Sequence, residues 1–112
     1  MSHSSLTTPN GPVYRVDKFT VPAQSVPAFM ARVQLIKGML DTMAGCRQNL
    51  VLQQAGESGE VKVVTIAEWE SRQAITAAMV QVQVRYAAQG FDPAAFMQAL
   101  DVKADMGVYS PA

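Results

Sequence analysis

Histidine, cysteine and tryptophan each occur once in the 112 residues, as His3, Cys46 and Trp69. A single cysteine excludes an intramolecular disulfide, and within a strand it is expected to act as a small buried hydrophobe. A single histidine, near the start, leaves no Ser-His-Asp or Cys-His nucleophile within a folded domain. One histidine, one cysteine and scattered carboxylates also make no recognisable donor set, so no metal is expected. Glycine-rich phosphate loops are missing too: Gly56 and Gly59 lie between two strand candidates rather than between a strand and a helix. No cofactor is called for.

Charge of one sign is likewise absent. Nine basic and nine acidic side chains cancel, and the basic ones are scattered, which argues against a nucleic-acid or anionic-membrane partner. No uncharged apolar run approaches the roughly eighteen residues of a membrane span. Met1 to Pro12 carries no basic segment followed by an apolar stretch, so cytoplasmic residence is the default expectation.

What is present is apolar: 49% of the residues are hydrophobic. A chain of this length suits one domain burying roughly 65% of its extended surface. Residues 1–12, rich in Ser, Thr, Pro, Asn and Gly, are expected to form a flexible leader that includes His3. The domain is expected over 13–109, with 110–112 as a tail.

Val13 to Val21 reads as a strand between Pro12 and Pro22, with Arg15, Asp17 and Phe19 on one side. Neither side is purely apolar, as in a strand that lines a cavity or an interface. Over Ser25 to Met43 the period changes: Phe29, Val33, Ile36, Leu40 and Met43 form a helical stripe, with Ser25 as N-cap, Pro27 in the first turn and Gly45 as terminator. Two strands follow, Cys46 to Gln54 and Val61 to Trp69, joined by a turn-like segment. The second holds apolar residues on both faces, which predicts that both are covered. Ser71 caps a long helix to Gln89, carrying Ile75, Met79, Val82 and Tyr86, and Gly90 closes it. Asp92-Pro93 starts a short helix, and a last strand runs from Val102 to Tyr109.

This order predicts an α+β, ferredoxin-like split β-α-β-β-α-β fold: one antiparallel four-stranded sheet with helices over one face. The other face needs a partner, and a second copy is the economical one, so a homodimer is expected.

Ala44-Gly45-Cys46, the paired strands, and Thr65-Ile66-Ala67-Glu68-Trp69-Glu70-Ser71-Arg72-Gln73-Ala74 resemble the antibiotic biosynthesis monooxygenase family. There a glycine-containing turn enters the second strand, and a strand ends in Trp followed by Ser, a polar pair and Ala at the next helix. The resemblance spans roughly Val13 to Tyr109 and implies a dimeric α+β barrel with a pocket between sheet and helices in each subunit. Some members resemble cofactor-free oxygenases that turn reduced aromatic polyketides into quinones; others degrade haem. Haem-degrading members use a histidine on the second main helix, and none stands between Ser71 and Gln89. Quinone-forming members place an asparagine near the position of Thr65.

The candidate catalytic residues are therefore Thr65, Trp69, Tyr86 and Arg85. Thr65 offers a hydroxyl to a phenolate or carbonyl oxygen, and Trp69 a flat ring and an N–H, though packing alone also explains an indole at a strand-to-helix corner. Tyr86 continues the helical stripe toward the sheet, and Arg85, one position off it, could reach a cavity rim. Asn49, Arg15, Asp17 and Met79 are candidate substrate contacts. Asn49 depends on a register that the sequence leaves open, Arg15 and Asp17 could equally be a charge pair at a dimer face, and Met79 could be core. Two functions fit: a cofactor-independent monooxygenase acting on a small phenol, hydroquinone or anthrone, or a non-catalytic or isomerase-like domain binding a small aromatic or carbonyl compound. A structural dimer module, its pocket filled by side chains, is a third.

Overall fold

The structure, a computed structural model, describes residues 11–56 and 58–112; His3 and the leader up to residue 10 lie outside the described residues. Strand β1 spans Val13–Pro22. A 3-10 turn, Ala23–Ser25, leads into helix α1, Val26–Asp41. Strands β2, Cys46–Ala55, and β3, Glu60–Trp69, precede helix α2, Arg72–Gln89. Helix α3, Pro93–Ala99, and strand β4, Lys103–Tyr109, complete the fold.

The local signals act as elementary chemistry requires. Ser71 is extended, and its Oγ accepts from the Ala74 N–H at 3.1 Å. Asp92 Oδ1 accepts from Ala94 and Ala95, with Pro93 in the first turn, where its missing N–H leaves nothing unpaired. Gly90 ends α2 in the left-handed region, φ 65°. Ser25 departs from expectation. It precedes α1 but makes no side-chain cap; its Oγ donates to the Leu100 carbonyl at 2.8 Å, tying the start of α1 to the end of α3.

The four strands form one antiparallel sheet in the order β2-β3-β1-β4. The ferredoxin-like order of elements holds, but the expected barrel does not. β2 and β4 are the two edges, separated by two intervening strands, and the sheet stays open. Closure needs tilted strands in sufficient number to surround a filled interior. Here four strands form an open sheet with helices over one face.

On the covered face, two clusters fill the space beneath the helices. Val13, Ala67 and Trp69 pack with Met43, Ile75, Ala78 and Val82 at one end. Val21, Val63 and Val102 pack with Phe29 and Val33 at the other. The opposite face carries Tyr14, Val16, Val64 and Ile66, half-buried among their neighbours, and Leu50, Leu52 and Tyr109, exposed. Within one chain helices cover one face of β3, while Val64 and Ile66 on the other are half-buried. Cys46, expected buried, is half-buried beside the first cluster.

Gly45 fixes the corner where β2 begins. Its φ is +87°, and a Cβ there would stand 2.6 Å from the Ala74 Cβ. Its carbonyl accepts from the Glu70 N–H at 2.9 Å. A glycine before β2 and an alanine in the first turn of α2 thus let turn, strand end and helix meet at one point. The Gly-Cys and Trp-Glu-Ser-Arg-Gln-Ala segments are two sides of a single packing contact.

Candidate active site

Between the covered face and the three helices lies a cavity of about 340 Å³, at the small end of the range for compact ligands. Its walls are Phe29 and Val33 from α1, Met79 and Val82 from α2, and Phe96 and Met97 from α3. The strands supply the floor, with Arg15, Asp17, Asn49 and Thr65, and the helices add Arg32, Lys37, Gln83 and Tyr86. The mixed first strand is expected to line a cavity or an interface; Arg15 and Asp17 line the cavity, and the register shows which partners they meet.

Arg15 and Asp17 are two apart on β1, so both project to the helix side. Arg15 Nε donates to Asp17 Oδ1 at 3.0 Å. Asp17 lies opposite Thr65 on β3 and Arg15 opposite Ala67, which makes Asp17 and Thr65 direct cross-strand neighbours on the cavity floor. Burial pushes the Asp17 carboxyl above its ordinary value, outweighing the attraction of Arg15, the Arg15 hydrogen bond and the backbone N–H of Gly107. Desolvation penalises the anion more than one partly solvated cation repays. Among the described residues Asp17 is the one carboxylate lining the cavity, against Arg15, Arg32 and Lys37.

The register that the sequence left open puts Asn49 opposite Ala67 and Val51 opposite Thr65. A shift in pairing between Cys46 and Gln48 realigns β2, and Asn49 shares the cavity face with Thr65. Its Nδ2 donates weakly to the Lys37 carbonyl, 3.4 Å, leaving its carbonyl oxygen to accept. Met79 lines the wall, its sulfur 3.7 Å from Arg15 Nη1.

Trp69 is 1% exposed and belongs to the first cluster, although it also lines the cavity. It is a core anchor that also bounds the cavity. Tyr86 is half-buried at the cavity wall, its ring edge-on to Phe91 at 5.0 Å, and burial raises its phenol, opposed by Arg32.

Arg85 is not brought to the cavity. It is exposed and lines a separate groove between α1 and α2. One position from Tyr86 is about 100° around a helix, enough to turn it off the sheet-facing stripe.

Sequence reasoning passed over Arg32 and Phe91. Arg32 places its guanidinium carbon 3.7 Å from the centre of the Phe91 ring, and Phe91 contacts both Tyr86 and Phe96. A signal was present: Arg32 sits three after Phe29 and four before Ile36, within the apolar stripe of α1. Phe91 offered none, because it lies between Gly90 and Asp92, outside any period.

Among the described residues no group of three or more His, Cys, Asp or Glu side chains could hold a metal ion, and no helix is long and apolar enough to cross a membrane. Such an arrangement can bind a compact, mostly apolar molecule, present hydrogen-bonding groups along one side of it, and hold a proton at Asp17.

Solved structures of similar shape share the fold. A cofactor-independent oxygenase from Streptomyces nogalater, SnoaB, superposes with a TM-score of 0.61 at 22% identity, over 91% of this chain and 94% of that one. Rv0793 from Mycobacterium tuberculosis gives 0.68 at 20% identity, over 91% and 96%. A conserved protein from Methanosarcina mazei gives 0.70 at 16% identity, over 92% and 95%. No curated protein matches the chain. The family model for antibiotic biosynthesis monooxygenases matches residues 12–89, from the start of β1 to the end of α2 and so across the cavity floor and two of its three walls; by that match the chain belongs to the antibiotic biosynthesis monooxygenase family.

Proposed function

We propose that this protein is a cofactor-independent monooxygenase that oxidises a small phenol, hydroquinone or anthrone-like substrate with dioxygen, and that it works as a homodimer. The observation that carries the reading is the pairing of Asp17 with Thr65 on the floor of a largely apolar cavity, in a chain of this family.

The chemistry needs an electron-rich anion in a dry site. Asp17, its affinity for protons raised by burial, takes the proton from the substrate; a carboxylate nearer neutrality is a better general base than a solvated one. Thr65 donates a hydrogen bond to the oxygen on which charge develops. Arg15, bonded to Asp17, keeps that carboxylate oriented. The anion passes one electron to dioxygen, and the superoxide and carbon radical combine to a peroxide. Loss of water then leaves the new carbonyl. One oxygen atom enters the product, and the other leaves as water with the two hydrogens that the substrate gives up. Phe29, Val33, Val82 and Phe96 exclude bulk water from this sequence, which strengthens every polar contact within it.

Oxygen uptake and quinone absorbance are to be recorded with the purified protein and a panel of anthrones and hydroquinones. Uptake above background is expected, falling about 100-fold in Asp17→Asn and about 10-fold in Thr65→Ala, with Trp69→Phe alongside. No uptake with any compound sinks the oxygenase reading for these substrates. Ligand-dependent quenching of Trp69 fluorescence in the same samples would then favour the binding domain.

The homodimer is supported by the open sheet face. Leu50, Leu52 and Tyr109, at 38%, 49% and 52% exposure, share that face with Val64, Ile66, Tyr14 and Val16, an apolar patch bordered by Lys18 and Glu68 that a second copy can cover. Sedimentation should give twice the chain mass, and Leu52→Asp should halve it. A wild-type monomer at micromolar concentration would overturn the assembly.

A further inference from the structure

The corner of the cavity at Arg15 holds a donor surplus that the oxygenation scheme does not use. A guanidinium presents five N–H groups in a planar fork. Arg15 spends Nε on Asp17. Its two terminal nitrogens face only thioethers, Nη1 against Met79 at 3.7 Å and Nη2 against Met106 at 3.6 Å. Sulfur of this kind is a weak acceptor on a flexible, easily moved side chain. Among the described residues the outer edge of the fork therefore has no oxygen partner, yet it lines the cavity and its side chain is 28% exposed.

Three further features agree. The cavity is bordered by Arg15, Arg32 and Lys37 against the single carboxylate of Asp17, so its interior favours a negative guest. Lys37 is offset by Asp41 at 3.1 Å and Arg32 lies over Phe91; Arg15 is paired with Asp17 through Nε alone, and both its terminal nitrogens meet only sulfur. Arg15 also stands two residues from Asp17 on the same face of β1, opposite Ala67, so a group held on its fork places the adjoining ring beside the Asp17–Thr65 pair.

We propose that the Arg15 fork, released from Met79 and Met106, binds a carboxylate on the substrate, so that the preferred substrates are aromatic carboxylic acids rather than neutral phenols. This rests on the reading of the cavity as the substrate site. Two parallel N–H···O bonds to a carboxylate are the geometry for which a guanidinium is suited and a lysine is not. Methionine is a fitting neighbour: it shields the charge when the cavity is empty and swings aside without losing a strong bond.

The test uses 2,5-dihydroxybenzoate and its methyl ester, equal in ring chemistry and differing in charge. Binding to the full chain is followed by quenching of Trp69 fluorescence or by calorimetry. The acid should bind about 10- to 100-fold more tightly than the ester, the range of a charge-assisted hydrogen-bonded pair. Arg15→Met should erase the difference, and Arg15→Lys should restore only part of it; thermal melting confirms that both variants are folded. Equal affinity of acid and ester in the wild type, or a preference that survives in folded Arg15→Met, overturns the proposal. Oxygen uptake on the same two compounds keeps the readings apart. Acid-selective binding without uptake removes the oxygenase and leaves the carboxylate site standing. Uptake with no acid preference does the reverse.

Discussion

The two ends of the cavity are built on different principles. At the β2 end, Trp69 is buried to 1% within a cluster drawn from β1, β3, α1 and α2 and the turn after α1, and Gly45 lets the backbone come against Ala74. At the other end the wall is α3, seven residues with none buried, leaning through the half-buried Phe96, Met97 and Leu100 on a cluster that β1, β3 and α1 largely complete by themselves. One end is locked by interdigitation from all sides. The other is a partition held along one edge by the Ser25–Leu100 hydrogen bond and by the Phe91 contacts. Rigid corner and lighter wall suit a cavity that has to admit a ligand while keeping its floor fixed.

The contrast is open to direct attack. Trp69→Ala empties the corner of its largest buried side chain and should cost about 3–5 kcal/mol in denaturant unfolding. Phe96→Ala removes a ring that is only half-buried, from a helix with solvent on its far side, and should cost about 1–2 kcal/mol. Hydrogen exchange should follow the same order, with α3 amides opening well before those of β3. Equal losses for the two substitutions, or α3 protected as strongly as β3, would show that the wall is as firmly built as the corner.

What was legible in the sequence follows the same division. The elements whose signals are local, such as the Ser71 and Asp92 caps, the Gly90 stop and the stripes of α1 and α2, stand where period and capping chemistry put them. Ser25 misled because its hydroxyl partner, Leu100, lies 75 residues away, and no local pattern records such a bond. The side of Asn49 was undetermined because it hangs on the irregular pairing between Cys46 and Gln48, where one residue of slip changes the face. The barrel failed as a description of this chain because closure belongs to the number and tilt of strands, not to their alternation. Of the eight candidate site residues, seven line the cavity and Arg85 does not. The seven were accessible because strands alternate and helices repeat; the one that strayed lay a single step off its stripe.

The smallest expected effect concerns the charge on the floor and bears on whether the floor is as fixed as the corner. Burial raises the Asp17 carboxyl above its ordinary 3.8 despite Arg15, so the folded chain holds this proton more tightly than the unfolded chain. The contribution to stability is then full below the unfolded value and is lost as pH rises through the folded one. In that window Asp17 should make the wild type less stable as pH climbs. Asp17→Asn removes the group that titrates and should flatten this part of the stability profile, measured by urea unfolding at intervals between about pH 3 and pH 7. A wild-type curve that instead gains stability from Asp17 as pH rises through the window would mean that Arg15 outweighs burial. That would require a wetter and more open floor, and the contrast would then run between floor and corner as well as between corner and wall.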